Sequence, residues 1–420
     1  MCMKRIFIFN FILLLSGMTI FAQSPNMSFF TEEFSRSGAT VSELQDILQV
    51  VRDQNLTGIG DFYYNAISVF IRRLPDFSGN QDRVHVEETA RLLMRGLAAE
   101  KHTAAAPEIW FLLQYFDIAS PQNDGYLMYE AFVAMGQVNA KSHAARIAVY
   151  LDSYNARSTT NEQIRTQIHR VAPGAINALE ALCEPPEGIG MKQVLIASAG
   201  WYESNVRNIA SDSLIKMMEA LGEVIGDIVN VIMRDPLNSI TIKNTCWQEL
   251  LRSRAPDTAK ARVAAVALEQ SYSFFTATFE TQSAIREMRR TAIETIRVLG
   301  VTDDSVYTNL QRTYREAFVT TGTDFAEIER VVRALSAVKT DKAVDLLTEF
   351  LQGIHSRRRS GPWGAIERNI MRVLIEAIAT TGTQSQNAHA ILSLIQGSSN
   401  YTGAEQGWAR SALTALNSTR

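Results

Sequence analysis

The feature that most constrains this chain is the return of one kind of amphipathic segment at near-regular intervals. In the segment from Ser42 to Asp53, apolar residues stand at positions i, i+3, i+4 and i+7, which is one face of an α-helix. Segments with this spacing follow one another to the end of the chain. Strict alternation of apolar and polar residues is not seen in the sequence, which therefore predicts an all-α fold without strands.

The interval between equivalent segments is 36 to 43 residues. A position near the start of every second predicted helix recurs at Val86, Tyr126, Ile164, Val206, Ile242, Ile285, Ile328, Ile366 and Ala404. The intervening helices are predicted near 106–118, 141–155, 189–200, 223–233, 257–275, 303–318, 341–355 and 385–396. A single helical hairpin cannot bury its apolar face alone, so neighbouring hairpins must share a core. The sequence predicts an α-solenoid of about nine stacked helical hairpins.

One recurrence is a short tripeptide. Ile-Glu-Arg begins at Ile328 and again at Ile366, and Glu405 stands 38 residues after Glu367. We interpret the repeat as a packing position: Ile328 and Ile366 are expected to fill equivalent places in the core. Each Glu and Arg is expected to pair along or between helices for about 0.2–0.5 kcal/mol.

Part of the chain is similar to the second helix of HEAT-like repeats, in which an aliphatic–Arg pair precedes small and aliphatic residues and a closing Gly. The best copy consists of Met288, Arg289, Ala292, Ile293, Ile296, Leu299 and Gly300. The resemblance implies an exported bacterial member of this family with a HEAT/armadillo-like right-handed superhelix over residues 81–420. It also implies a non-enzymatic scaffold that binds a protein partner along its concave face.

A closed ring of helices, the α/α toroid, is the alternative fold. It would imply an enzyme acting on a glycan or another cell-envelope substrate. Such an enzyme would group acidic and aromatic residues at the same ends of its inner helices, and the sequence shows no such grouping.

The N-terminus resembles an export signal. Lys4 and Arg5 precede an apolar run, and a cleavage site near Ala22 and Gln23 would complete a signal peptide over residues 1–22. An uncleaved membrane anchor is the alternative. We expect a periplasmic or secreted protein with no stable membrane insertion after cleavage. Residues 23–80 are predicted to form N-terminal capping helices that continue into the repeat array.

Charge and cysteine content argue against a nucleic-acid partner and against a disulfide framework. Without the signal, 39 basic and 44 acidic residues remain, a net charge of −5, so no nucleic-acid partner is predicted. Two cysteines, Cys183 and Cys246, are too few for a disulfide framework. A single bridge between them would require neighbouring helices.

The sequence predicts no catalytic residue, no cofactor and no metal site. The six histidines lie more than ten residues apart, so metal-ligand spacing does not arise locally. Asp303 and Asp304 stand where a helix begins, which favours N-capping over calcium binding. Glu184 and Glu187 flank two prolines and are interpreted as part of a rigid turn.

Two features remain as candidates for binding. Arg357, Arg358, Arg359 and Trp363 are predicted to form a loop between helices at 341–355 and 364–380, where they would contact an acidic protein partner. A solvated loop is the alternative. Replacing the three arginines by Ala is expected to weaken binding without lowering thermal stability. Neither the partner's identity nor the oligomeric state is specified.

The second candidate is a run of aromatic residues near the N-terminus. Most are expected in the core, and some are expected to line the inner face. They are Phe62, Tyr63, Tyr64, Phe70, Trp110, Phe111, Tyr115, Phe116, Tyr126, Tyr129 and Phe132.

Overall fold

The computed structural model describes residues 27–77, 79, 82–118, 123–274, 278–318, 322–360, 363–383 and 385–418. Regular structure within these ranges is helical throughout, which confirms the predicted fold class. The chain falls into two compact units, the first ending at Leu182 and the second beginning at Cys183. The predicted signal peptide, residues 1–22, lies outside the described residues.

Unit 1 contains eight of the α-helices described. They are α1 (Met27–Ser35), α2 (Val41–Asp53), α3 (Gly60–Arg73), α4 (Arg83–Ala99), α5 (Ala106–Tyr115), α6 (Tyr126–Gln137), α7 (Ala144–Asn155) and α8 (Glu162–Leu182). Short 3-10 turns at Leu74–Phe77, Thr103–Ala105 and Lys141–His143 adjoin them.

Unit 2 contains the remaining α-helices. They are α9 (Met191–Ala199), α10 (Ser204–Leu221), α11 (Ile225–Arg234), α12 (Ile240–Arg252), α13 (Asp257–Gln270), α14 (Phe279–Leu299), α15 (Asp304–Ala317), α16 (Phe325–Val338), α17 (Asp341–Ser360), α18 (Ala365–Thr381), α19 (Gln386–Gly397) and α20 (Gly403–Ser418). A 3-10 turn, Gly222–Val224, precedes α11.

In each unit the helices form two rows. Most helices contact the next helix in the sequence and also the helix two places further on, which belongs to the same row. In unit 1, α2, α4, α6 and α8 pack successively, and α1, α3 and α5 do likewise. In unit 2, the even helices α10 to α20 form one such row and the odd helices α11 to α19 form the other. The aliphatic residues on the apolar faces that the sequence predicts are buried between these rows.

Local chemistry explains where several helices begin and end. Thr40 and Glu43 form a capping box at the start of α2, with each side chain accepting a backbone N–H of the other residue. Asp303 caps α15 as predicted, accepting from the Ser305 N–H at 2.8 Å. Gly300, the closing Gly of the HEAT-like segment, ends α14 with φ +66°, a conformation that favours glycine.

Helices α6 and α8 pack so closely that two glycines are required between them. A Cβ on Gly174 of α8 would lie 2.8 Å from the carbonyl oxygen of Tyr129 on α6. A Cβ on Gly136 of α6 would lie 3.1 Å from Cα of Ala178 on α8. The two backbones therefore approach each other closely at these two positions.

The expected equivalence of Ile328 and Ile366 is wrong. Ile328 is fully buried in α16, whereas Ile366 is 47% exposed in the first turn of α18. Helix starts give the correct register, because Glu327, Glu367 and Glu405 each occupy the third position of their helices α16, α18 and α20. The tripeptide repeat is thus offset by two residues from the structural repeat.

Two further helix predictions need correction. Helix α17 continues to Ser360, five residues beyond the predicted end, because basic residues in its last turn favour the helix C-terminus. Helix α1 was not predicted, and it buries Phe30 and Phe34 against the N-terminal part of unit 1. Other predicted boundaries lie within a few residues of the observed ones.

Candidate functional site

The predicted partner-binding residues do not form a loop. Arg357, Arg358 and Arg359 lie in the last turn of α17, and Trp363 lies two residues before the start of α18. The prediction of a loop was wrong because the Arg run satisfies the C-terminal end of the helix dipole instead of interrupting the helix. The four residues also differ sharply in their surroundings.

Arg358 is held inside unit 2 by contacts with three elements. Its Nη1 donates to Glu405 Oε1 at 3.1 Å, and its Nε donates to the carbonyl oxygen of Asn400 at 3.0 Å. The guanidinium lies between two aromatic rings, 4.4 Å from the centroid of Trp363 and 4.6 Å from that of Tyr401. These contacts use both the donors and the faces of the group, so Arg358 joins α17 to the start of α20.

Of the other three residues, Arg357 and Trp363 contact neighbouring side chains, and Arg359 faces solvent. Arg357 lies over the ring of Phe318 at 4.6 Å and 3.8 Å from Glu367. Arg359 is exposed. Trp363 packs its ring on Arg358, and its Nε1 is buried without a hydrogen-bond partner. Of the four, Arg359 alone presents its charge to solvent, so a role of this cluster in binding remains a prediction.

Glu405 is the carboxylate on which this cluster converges. It is fully buried, and it accepts from the Thr402 N–H at 2.7 Å, as an N-terminal capping interaction of α20. Arg368 on α18 lies 3.4 Å from the same carboxylate. Burial acts to raise the pKa of Glu405, but the Thr402 N–H and the two guanidinium groups prevail, and the pKa lies below its ordinary value.

A second set of arginines follows the exposed side of three successive even helices in unit 2. We call it the arginine face, and its members are Arg290 and Arg297 of α14, Arg330 and Arg333 of α16, and Arg368 and Arg372 of α18. Five of these members are exposed and Arg330 is half-buried; with Arg286 of α14, six exposed arginines and four exposed glutamates lie within the described part of α14, α16 and α18. The face therefore carries an excess of positive charge in a protein whose net charge is negative.

Carboxylates on the same helices hold these arginines in place. Arg333 pairs with Glu329 at 2.6 Å one turn away, and Arg290 reaches Glu327 of the next even helix at 3.7 Å. The hydrogen bond from Arg297 holds the pKa of Glu294 below its ordinary value, and Arg333 and Arg330 of α16 act in the same direction. The electrostatic coupling shows that α14 and α16 contribute to one continuous surface.

Sequence reasoning missed the arginine face, although a signal was present. Arg290, Arg330 and Arg368 stand 40 and 38 residues apart, which is the interval of the helical repeat. The isoleucine of Ile-Glu-Arg defined the predicted repeat, and the equal spacing of the arginines was therefore not recognised. In the structure Arg368 is exposed and Arg330 is half-buried.

Unit 1 carries two adjoining clefts at the N-terminal ends of even helices. The first, of about 420 Å³, lies among α2, α4 and the start of α6. The second, of about 560 Å³, lies between the start of α6 and α8. Asn123 and Asp124 line both clefts, so they form one continuous depression. No motif in the sequence indicated these residues, because they come together from distant helices.

The aromatic run near the N-terminus is mostly core, as predicted. Its buried members are Phe62, Tyr63, Phe70, Trp110, Phe116 and Phe132. Tyr126 is 38% exposed and lines the first cleft, where the Arg91 guanidinium lies 5.9 Å from its ring centroid. Phe111 and Tyr115 are exposed on the odd helix α5 and stack on each other at 6.5 Å.

Several titratable groups in unit 2 are buried and paired. Lys243 is 2% exposed, donates to Gln270 Oε1 at 3.0 Å, and has a pKa lowered by burial. Cys183 and Cys246 are free thiols, and burial raises the pKa of Cys183 to about 11. A thiol with a raised pKa is a poor nucleophile at neutral pH, so neither cysteine is indicated as reactive.

The residues that the structure describes contain no group of three or more His, Cys, Asp or Glu side chains that could hold a metal ion. Among the helices in these ranges, none combines the length and the apolarity that a membrane crossing requires.

No protein-family model matches the sequence, and no curated protein matches it either.

Proposed function

We propose that this chain is a non-enzymatic interaction scaffold, built as an open α-solenoid of the HEAT/armadillo kind. The packing of each helix on the helix two places further on, within both units, supports this architecture. The interval of 36 to 43 residues between equivalent segments supports it as well. In such an array the exposed side of one row of helices is a single extended surface, suited to many modest contacts with a partner.

The arginine face is the observation that carries the proposal. Three successive even helices each present two arginines, and carboxylates orient most of them. A guanidinium has five N–H donors in a planar fork, so one that pairs with a glutamate retains donors for a second carboxylate. We infer that the partner is a protein with an extended acidic segment, which binds across α14, α16 and α18 in unit 2.

A binding assay with a defined probe tests this inference. A fluorescein-labelled peptide rich in Asp and Glu is expected to raise its anisotropy with the full chain and to dissociate as salt is added. Arg333→Gln with Arg372→Gln is expected to weaken binding several-fold, because both side chains are exposed and each pairs only within its own helix.

The matched control is Arg262→Gln with Arg315→Gln. These arginines are as exposed as Arg333 and Arg372 and also form ion pairs, although with carboxylates of other elements, and they lie on the odd helices α13 and α15. Binding should be unchanged in this variant. Equal losses in the two double variants, or no binding of the acidic peptide at all, would contradict the arginine face as the site.

Solution shape distinguishes the proposed solenoid from the α/α toroid. Small-angle X-ray scattering is expected to give the profile of an elongated arc. A compact particle with a central depression would favour the toroid and the enzyme function that it implies.

Export to the periplasm or cell envelope is part of the proposal and rests on residues 1–22 of the sequence. N-terminal sequencing of the protein recovered from its native compartment should begin at Gln23. A mature protein that retains Met1 would show that the segment is not removed.

A further inference from the structure

The continuous depression in unit 1 is a candidate site separate from the arginine face. Its two clefts, of about 420 and 560 Å³, meet at Asn123 and Asp124. Each cleft falls within the range of about 300–1,000 Å³ that is usual for small-molecule sites. The walls belong to α2, α4, α6 and α8, which pack successively and so form a firm base.

The carboxylates of this depression share one property: each lies within ion-pair distance of an arginine, of which Arg91 and Arg170 line the clefts and Arg83 and Arg165 lie just outside them. The pairs are Glu87 with Arg83 (2.8 Å), Glu88 with Arg91, Asp124 with Arg170 (2.7 Å) and Glu162 with Arg165 (3.9 Å). Because the charges are balanced locally, a charged ligand would gain little attraction there and would still lose its hydration. The depression therefore favours a neutral, polar ligand.

The remaining polar groups fit hydroxyl groups in particular. Gln163 and Thr166 of α8 are exposed in the second cleft, and amides and hydroxyls can both donate and accept. A sugar hydroxyl also does both, and neighbouring hydroxyls on a ring can bridge the oxygen of a carboxylate and the nitrogen of its paired arginine. At the first cleft Tyr126 is 38% exposed, with the Arg91 guanidinium over its ring at 5.9 Å, and the exposed part of the ring offers an apolar surface to the C–H face of a sugar.

We propose that the depression in unit 1 binds a neutral oligosaccharide of two or more sugar units, with one ring against Tyr126 and another beside Gln163 and Thr166. A peptide is the competing ligand. It would require apolar side-chain pockets at regular spacing, and beside Tyr126 the lining exposes one large apolar side chain, Val84, while Phe116 and Leu127 are buried. This site is independent of the proposed protein-binding surface in unit 2.

Isothermal titration calorimetry of the full chain with chitotriose, maltotriose and a neutral Gly/Ser peptide tests the proposal. At least one trisaccharide is expected to bind, and the peptide is expected not to bind. Tyr126→Ala should weaken trisaccharide binding about tenfold. Tyr126→Phe, which keeps the ring, should retain it.

Gln163→Ala with Thr166→Ala should also weaken binding, while Gln114→Ala, an exposed glutamine on the odd helix α5, should leave it unchanged. Binding of the peptide alone, no binding of either trisaccharide at millimolar concentration, or equal affinity in Tyr126→Ala would overturn the proposal. The anisotropy assay with the acidic peptide, run on the same variants, should give wild-type affinity. This comparison distinguishes failure of the oligosaccharide proposal from failure of the proposed acidic-peptide site in unit 2.

Discussion

The guanidinium of Arg358 lies 3.1 Å from the carboxylate of Glu405, a side chain with no exposed surface. The two residues are 47 positions apart in the sequence and join the end of α17 to the start of α20. Arg358 was predicted from the sequence to face a partner in a flexible loop. The structure instead gives it a place in the interior of the C-terminal helices, with consequences for stability.

Arg358→Ala is expected to lower the free energy of unfolding by about 2–3 kcal/mol, because it leaves a buried carboxylate with Arg368 as its sole remaining guanidinium partner. Arg359→Ala is the matched control, since the neighbouring arginine is exposed, and its effect should stay within about 0.5 kcal/mol. Urea unfolding of both variants measures the difference. Equal midpoints would show that the Arg358–Glu405 pair contributes nothing.

The pH dependence of stability should depend on Glu405. Its pKa in the folded state lies below the ordinary value of the unfolded chain, so ionisation favours folding. This contribution is fully present above the ordinary pKa of a glutamate and is lost as the pH falls through the folded-state pKa. Thermal unfolding followed between about pH 6 and pH 3 should show a smaller decrease in Tm for Glu405→Gln than for the wild type.

A matching pH profile for the wild type and Glu405→Gln would contradict this assignment. Glu294→Gln is a useful comparison, because that carboxylate also has a lowered pKa but is exposed on the arginine face. Its effect on the profile should be smaller, since solvent screens the interaction with Arg297.

The two isoleucines of the tripeptide repeat should respond differently to the same change. Ile328→Ala removes a fully buried side chain and is expected to cost about 2–5 kcal/mol. Ile366→Ala, at a half-exposed position in the first turn of α18, should cost less than about 1 kcal/mol. Chemical unfolding of the pair is a direct test of the structural register. Similar losses of stability in the two variants would indicate that Ile328 and Ile366 occupy equivalent core positions, as the sequence suggested.

The close approach of α6 and α8 should make Gly174 intolerant of a side chain. Gly174→Ala is expected to destabilise by about 1–3 kcal/mol, because its Cβ meets the backbone of Tyr129, which cannot move aside as a side chain could. Gly353→Ala serves as the control. That glycine lies inside α17 with open space around it, so Ala should stabilise by about 0.5–1 kcal/mol.

A stabilised Gly174→Ala variant would mean that the two helices separate at little cost. Far-UV circular dichroism should show unchanged helix content in both glycine variants, so that differences in Tm report packing rather than loss of a helix.

Helix positions were predictable because they depend on local spacing. The predicted segment near 303–318 corresponds to α15 within one residue at each end, and the segment near 257–275 begins with α13 but extends five residues beyond the end of that helix at Gln270. Asp303 and Gly300 were predictable for the same reason, since a cap and a left-handed C-terminal residue act over one turn. The end of α17 was not, because three arginines are typical of a solvated loop as much as of a helix terminus.

The candidate sites were harder to predict from the sequence than the helices were. The arginine face left a periodic trace at Arg290, Arg330 and Arg368, which the apolar pattern obscured. The depression in unit 1 left none, because Asp124 precedes α6 and Arg170 lies in α8, so the two pair only after those helices have packed. Residues that are distant in sequence cannot signal such an arrangement by spacing.

The sequence by itself determined that the chain is helical, where most of its helices lie and at what interval they recur, because periodicity and caps act within a few residues. Only the tertiary structure decided which member of each repeat is buried. Glu327 and Glu405 lie inside while Ile366 is largely exposed, an inversion of the usual preference. The physical reason is that burial depends on what the neighbouring helix supplies: an arginine within reach stabilises a buried carboxylate, and no local pattern specifies that partner.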